Sequence, residues 1–110
     1  MVKWIEEHDT MLLSVEFDDG TGYKRRPAIA IKVTGREIVF YRITSQYENK
    51  SDYIRSKYFE IIDYTDAGLR KKSWIDTLKA HSVYENEITI KVIGHLSARD
   101  TERMLDFMSE

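Results

Sequence analysis

Three short clusters in the sequence combine charged or hydroxyl side chains with aromatic ones. In the first, GYKRRP at residues 22–27, Tyr23 precedes three consecutive bases, Lys24, Arg25 and Arg26. The cations attract phosphate, the planar fork of arginine can hold two phosphate oxygens, and a tyrosine ring can stack on a base. The cluster predicts contact with a nucleic acid, although a solvated basic loop would have the same composition.

The second cluster is ITSQ, at residues 43–46, where an alternating apolar strand runs into polar side chains. Thr44, Ser45 and Gln46 can each donate and accept hydrogen bonds. They could bind a phosphate or a base edge, or they could cap the turn that follows the strand.

The third cluster, GLRKKSW at residues 68–74, is again basic beside an aromatic residue. Lys71 is its candidate substrate contact, because its ammonium group can attract phosphate. We expect Trp74 in the core or in an interface rather than as a stacking platform.

A predicted β-hairpin brings the first two clusters together. Pro27 begins the apolar run 27–33, Gly35 marks a tight turn, and residues 37–43 form a second β-rich run. In such a hairpin the residues that flank the far ends of the two strands are neighbours. Arg26 and Thr44 are therefore predicted to lie within reach of one phosphate.

Other short strands and one helix complete the predicted secondary structure. Alternating apolar patterns predict strands at residues 11–17, 58–62, 73–83 and 88–93, with a polar loop at 44–57 and a turn at 66–68.

The chain ends with a predicted amphipathic helix. Ser97 and Asp100 form an S-x-x-D cap before an apolar stripe of four residues, Met104, Leu105, Phe107 and Met108. The expected fold is mainly β with α (α+β), a small, partly open β-barrel with a helix packed on it, in a single domain of residues 1–110.

Composition excludes several classes of protein. The 110 residues include no cysteine, so a disulfide framework and a thiolate metal site are excluded. No P-loop or dinucleotide fingerprint is present, and the carboxylates and the three histidines show no metal-ligand spacing. We expect no cofactor, no metal, and ordinary surface or core-edge roles for His8, His81 and His95.

Charge is distributed unevenly along the chain. Residues 1–20 carry one base and six acids, residues 21–79 thirteen bases and seven acids, and residues 80–110 three bases and six acids, which returns the net charge of −2. The basic middle allows an anion-binding face on an acidic protein. No signal-peptide pattern and no apolar stretch of the ~20 residues that span a membrane is present, so we expect a cytoplasmic protein without membrane contact.

In their order along residues 11–109, the clusters resemble the MazF/PemK toxins of bacterial toxin–antitoxin systems. The resemblance is carried by four groups of residues, Arg26-Pro27, Ile43-Thr44-Ser45-Gln46, Gly68-Leu69 with Ser73-Trp74-Ile75, and Ile93-Gly94-His95-Leu96. It implies an SH3-like β-barrel, a homodimer, and a metal-independent, sequence-specific endoribonuclease that cleaves single-stranded RNA. It also implies a cognate antitoxin whose disordered tail binds across the active site, and a catalytic pair formed by Arg26 and Thr44.

The resemblance does not identify the acid and base of the reaction. Metal-free cleavage uses the 2′-hydroxyl of the RNA as nucleophile and leaves a cyclic phosphate and a 5′-hydroxyl. Arg26 suits stabilisation of the developing charge, because arginine stays protonated, and Thr44 suits positioning of the phosphate or the 2′-hydroxyl. Glu48, Asp66 and Asp76 are the candidate general acids or bases.

Two other functions fit the sequence. The first is a non-catalytic binding module on the same barrel, like the related gyrase-poisoning toxins, which the net negative charge mildly favours. The second is an adaptor for peptides with a groove lined by tyrosines, namely Tyr41, Tyr47, Tyr53 and Tyr58.

Overall fold

A computed structural model describes residues 4–16 and 23–109 of the chain. Its elements are, in chain order, β1 (Asp9–Glu16), β2 (Tyr23–Thr34), β3 (Glu37–Thr44), α1 (Asp52–Ser56), β4 (Tyr58–Ile61), β5 (Ser73–Tyr84), β6 (Ile90–His95) and α2 (Ala98–Met108). Within these ranges neither helix has the length and apolar character needed to cross a membrane.

The strands form one six-stranded sheet in the order β4-β5-β3-β2-β1-β6. Every neighbouring pair is antiparallel, and the sheet is not closed, since β4 and β6 are its two edges. The prediction of a mainly β protein with helix, of the α+β class, is confirmed.

The predicted hairpin is present. β2 and β3 pair antiparallel, and Gly35 at their turn has φ of 59°, in the left-handed region that glycine enters without a steric penalty. The paired residues begin at Ala28 and Arg42. Arg26 lies two residues before Ala28 and Thr44 two residues after Arg42, so both lie just beyond this end of the pairing.

Alternation of side chains gives the sheet two apolar faces. One cluster contains Ile29, Tyr41, Ile43 and Ile75, and Met104 of α2 packs into it. The second cluster lies on the other face and is built from small and aliphatic residues, Met11, Leu13, Ala28, Ala30 and Ile38. The candidate site lies on the face of this second cluster.

Helix α2 begins as predicted but packs differently. Ser97 is its N-cap, and its hydroxyl accepts the amide of Asp100 at 3.1 Å. The Asp100 carboxylate does not close a capping box; it is fully buried and accepts the backbone amides of Ile62 and Asp63. Leu105 and Met108 are exposed at 56% and 44%, so the buried apolar stripe is narrower than the spacing predicted.

Gly68 and Gly94, which belong to the residue groups that carry the resemblance, have a packing role. A Cβ on Gly94 would lie 2.6 Å from the carbonyl oxygen of Ala67 and 2.7 Å from the amide nitrogen of Gly68. Gly68 itself has φ of 76°, and its Cβ would lie 2.7 Å from the carbonyl carbon of Ile93. Both glycines allow the turn at 62–68 to pack backbone-to-backbone against β6.

Candidate functional site

A pocket of about 620 Å³ opens on the sheet face that carries the second apolar cluster. Its polar lining comes from five parts of the chain and includes eight hydrogen-bonding or charged side chains, Arg26, Arg42, Thr44, Lys50, Tyr58, Asp76, His81 and Ser82. Leu13, Ala28, Phe40 and Val83 supply apolar walls. A cavity with apolar walls and a few convergent polar groups is the usual form of a ligand site.

Strand pairing explains why these residues meet. One row of directly paired residues crosses five strands, Met11, Ala28, Arg42, Asp76 and Tyr58. Paired residues point to the same face of a sheet, so the charges of Arg42 and Asp76 and the phenol of Tyr58 share one surface. Arg26 and Thr44 lie one side-chain repeat away on the same face.

Arg26 and its neighbour Arg25 point in opposite directions. Arg26 is exposed and lines the pocket beside Pro27, whereas Arg25 lines a separate shallow pocket with Glu87 and Thr89. Successive residues of a strand alternate between its faces, which accounts for the difference. Only one of the two arginines can therefore serve the main pocket.

Thr44 both caps a turn and faces the pocket. Its hydroxyl oxygen accepts the backbone amide of Gln46 at 3.0 Å. A threonine hydroxyl has two acceptor sites and one donor, so its proton stays free to bind an oxygen in the pocket. The two roles that the sequence left open for this residue are compatible.

Cations outnumber the single acid in this pocket. Arg26, Arg42 and Lys50 line it with Asp76, whose carboxylate lies 3.9 Å from the Arg42 guanidinium. The other oxygen of Asp76 accepts the amide of Leu78 at 3.0 Å. The excess positive charge suits a phosphate group.

Tyr58 on β4 is paired with Asp76 on β5. Burial, followed by the charge of Asp76, raises the pKa of its phenol, and the Arg42 charge opposes the rise. Tyr58 is therefore protonated at neutral pH and can donate a hydrogen bond into the pocket.

His81 enters the pocket through an irregularity in β5. Phe40 pairs with His81 and Arg42 pairs with Asp76, so β5 has three more residues than β3 between these two pairs. His81 and Asp76 are five residues apart, and a regular strand would place them on opposite faces. The extra residues of the bulge bring both to the pocket.

The imidazole of His81 is in an environment that favours its neutral form. Its ring stacks on Phe40 with centroids 5.4 Å apart. Burial lowers its pKa, as do the nearby charges of Arg42 and Lys79, while Asp76 acts in the opposite sense.

An aromatic stack borders the site. Tyr47 stacks on Trp74 with centroids 4.7 Å apart, and the Arg55 guanidinium lies 5.7 Å from the Tyr47 ring centroid. Trp74 pairs with Thr44 and is 8% exposed, which confirms its prediction as a core residue. The four tyrosines predicted for a peptide groove do not line one pocket. Tyr41 is buried in the core and Tyr53 lines a separate pocket, whereas Tyr58 lies 6.4 Å from Tyr47 between ring centroids.

Several residues predicted for the site lie outside the pocket lining, namely Lys24, Arg25, Ser45, Gln46, Glu48, Asp66 and Lys71. Lys24 and Lys71 are exposed, and Glu48 lies 4.0 Å from Arg55. Asp66 is at the turn against β6. Tyr23 begins β2, but its side chain is outside the part of the structure that is described.

Among the charged and hydrogen-bonding lining residues, Arg42, Lys50, His81 and Ser82 were not predicted from the sequence, and Tyr58 was predicted only for a tyrosine-lined peptide groove. Arg42 had a usable signal, because it lies two residues before Thr44 in the same strand and must share its face. His81 had none, because its face depends on the bulge.

Comparison with known proteins adds no family assignment. No protein-family model matches the chain, and no curated protein matches it. Within residues 4–16 and 23–109, no three histidine or acidic side chains are grouped so as to hold a metal ion.

Proposed function

We propose that this protein is a MazF/PemK-like endoribonuclease toxin, which cleaves single-stranded RNA without a metal and leaves cyclic phosphate and 5′-hydroxyl ends. One observation carries the proposal. Arg26 and Thr44, the pair that the resemblance implies as catalytic, line the same pocket from adjacent strands. Arg42 and Lys50 add positive charge where a phosphodiester would bind.

Three changes occur at the phosphodiester during the cleavage. The 2′-oxygen attacks phosphorus, the bond from phosphorus to the 5′-oxygen breaks, and negative charge builds on the non-bridging oxygens. Arg26 stabilises that charge through fixed donors, which is commonly the largest single contribution to catalysis. Thr44 donates its free proton to a phosphate oxygen and fixes its position.

The ring of Tyr47, half-buried against the core residue Trp74, suggests where a base of the RNA binds. Single-stranded RNA is recognised through unstacked bases that pack on aromatic or guanidinium planes. Arg55 and Tyr47 lie in the segment 45–56 next to Thr44, so this segment would contribute to sequence specificity.

The proposal includes an SH3-like β-barrel, a homodimer, a cytoplasmic location and a cognate antitoxin. The barrel is supported by irregular register in three of the five strand pairings, since bulges bend strands and are common at barrel rims. The antitoxin is supported by the cationic pocket, which suits an acidic disordered tail. A short acidic protein encoded beside this one would be the expected partner.

The sharpest test compares two neighbouring arginines. Arg26→Ala should lower the rate of cleavage of an end-labelled single-stranded RNA by about 10²- to 10³-fold, because the charge stabiliser is lost. Arg25→Ala removes the same charge from the opposite face of the same strand, so its rate should stay within a few fold of wild type. Both variants should keep the wild-type circular dichroism spectrum and melting temperature.

The products identify the chemistry. Wild-type protein in EDTA should give fragments ending in cyclic phosphate, and a single 2′-deoxynucleotide at the cleavage site should block the reaction. Equal cleavage by the folded Arg26→Ala and Arg25→Ala proteins would refute the assignment of the pocket. Binding of RNA without fragments would refute the nuclease and support a non-catalytic binding module.

A further inference from the structure

The pocket contains a proton acceptor for which the resemblance gives no role. His81 lines it together with Arg26 and Thr44, and the β5 bulge sets the face to which the imidazole points. Phe40 stacks on the ring and limits its rotation. A histidine held in this way is a pre-oriented group at the edge of a phosphate site.

The charges around His81 come from β2, β3 and β5 and from the loop that follows β3. The titratable and charged groups that face the pocket or His81 are Arg26 on β2, Arg42 on β3, Lys50 in the following loop, Tyr58 on β4, and Asp76 and Lys79 on β5. Four of these groups are cations and one is an acid. Burial lowers the pKa of the imidazole, and of these groups Arg42 and Lys79 lower it in the same direction, while Asp76 raises it.

We propose that His81 is the general base of the cleavage and accepts the proton of the RNA 2′-hydroxyl. The assignment rests on the proposed ribonuclease function. As the bond from the 2′-oxygen to phosphorus forms, the 2′-proton passes to a ring nitrogen of neutral His81. The 5′-oxygen leaves with the electron pair of its bond to phosphorus and takes a proton from solvent, and the imidazolium returns its proton to solvent.

The acidic candidates fit this role less well. Glu48 and Asp66 do not line the pocket. Asp76 does, but one of its oxygens accepts the Leu78 amide and the other faces Arg42. A neutral imidazole has a free lone pair, and its ordinary pKa is the nearest of any side chain to neutral pH.

The test is the pH dependence of kcat/KM for wild type, His81→Gln and a matched His95→Gln control. His95 pairs with Asp9 outside this pocket, so its substitution should leave the rate unchanged. A base acts when deprotonated, and the pKa of His81 is lowered, so wild-type kcat/KM should rise with pH through a midpoint below about 6.5. His81→Gln should lose about 10²- to 10³-fold at pH 7.5 and lose this rising limb, with RNA affinity retained.

A modified RNA substrate distinguishes a role of His81 as general base from a role as general acid. An RNA with sulfur in place of the bridging 5′-oxygen has a leaving group that needs no proton. The defect of His81→Gln should persist on this RNA; restoration of the wild-type rate would overturn the base assignment. An unchanged rate and pH profile in His81→Gln would also overturn it, while the Arg26 comparison would still stand.

The wild-type protein supplies an independent check in case His81→Gln does not fold. The pKa of His81 measured by NMR should match the midpoint of the kinetic limb. Absence of a limb below pH 6.5 would overturn the inference. Absence of any cleavage by wild type would instead overturn the proposed function.

Discussion

Replacement of Asp100 by asparagine should destabilise the fold more than any ordinary surface change. The carboxylate is fully buried and accepts the amides of Ile62 and Asp63 at 3.2 and 2.7 Å, and Arg103 at 2.7 Å. Asparagine keeps the size of the side chain but replaces one acceptor oxygen with a donor. One buried amide then loses its acceptor, at about 1–3 kcal/mol, and the bond from Arg103 loses its charge assistance, at about 1 kcal/mol.

We expect a loss of about 2–4 kcal/mol in the free energy of unfolding from this change. For a chain of this size that corresponds to a fall in melting temperature of roughly 8–16 °C, at about 4 °C per kcal/mol. Urea denaturation followed by tryptophan fluorescence would measure it, with the slope against denaturant unchanged.

Asp106→Asn is the matched control, because Asp106 is exposed on the same helix. It should change stability by less than about 0.5 kcal/mol. A loss below about 1 kcal/mol for Asp100→Asn would show that the two amides find water or other partners and that Asp100 does not have this stabilising role.

Two further predictions concern stability. Gly94→Ala should cost several kcal/mol in urea denaturation, because its Cβ would meet the backbone of Ala67, whereas Gly35→Ala, in open space, should cost only about 1 kcal/mol from its positive φ. Equal losses would contradict the packing role. Hydrogen bonds from Arg99, then from a serine hydroxyl, hold the pKa of Asp63 below its usual value. Its stabilising effect is therefore complete above about pH 4 and lost as the pH falls through the lower folded pKa, and Asp63→Asn should flatten stability against pH in that acidic range.

Much of the architecture could be predicted because its signals are local. Gly35 between two β-rich runs defined the hairpin, and Ser97 before an apolar stripe defined the start of α2. The hairpin also led to the prediction that Arg26 and Thr44 would be neighbours, and both residues line the same pocket. These features depend on alternation, turn geometry and capping, which act over a few residues.

Long-range contacts could not be predicted in the same way. Asp100 looked like part of a local cap but bonds to amides 37 and 38 residues away. Leu105 looked buried by its spacing but lies exposed, since only part of α2 faces the sheet. His81 looked ordinary because a regular β5 would turn it away from Asp76.

Because of the bulge, the number of residues in β5 determines which of its side chains face the pocket. The same count of residues that turns His81 toward the pocket also turns Val83 toward the second apolar cluster, two positions later on the same face. Deletion of one residue between 77 and 80 would turn the side chains of His81 and Val83 to the opposite face of the sheet. Tyr84 would then lie where Val83 packs. Insertions and deletions in this segment are therefore opposed by the core as well as by the site, so the position of His81 is protected by folding stability even where catalysis exerts no selection.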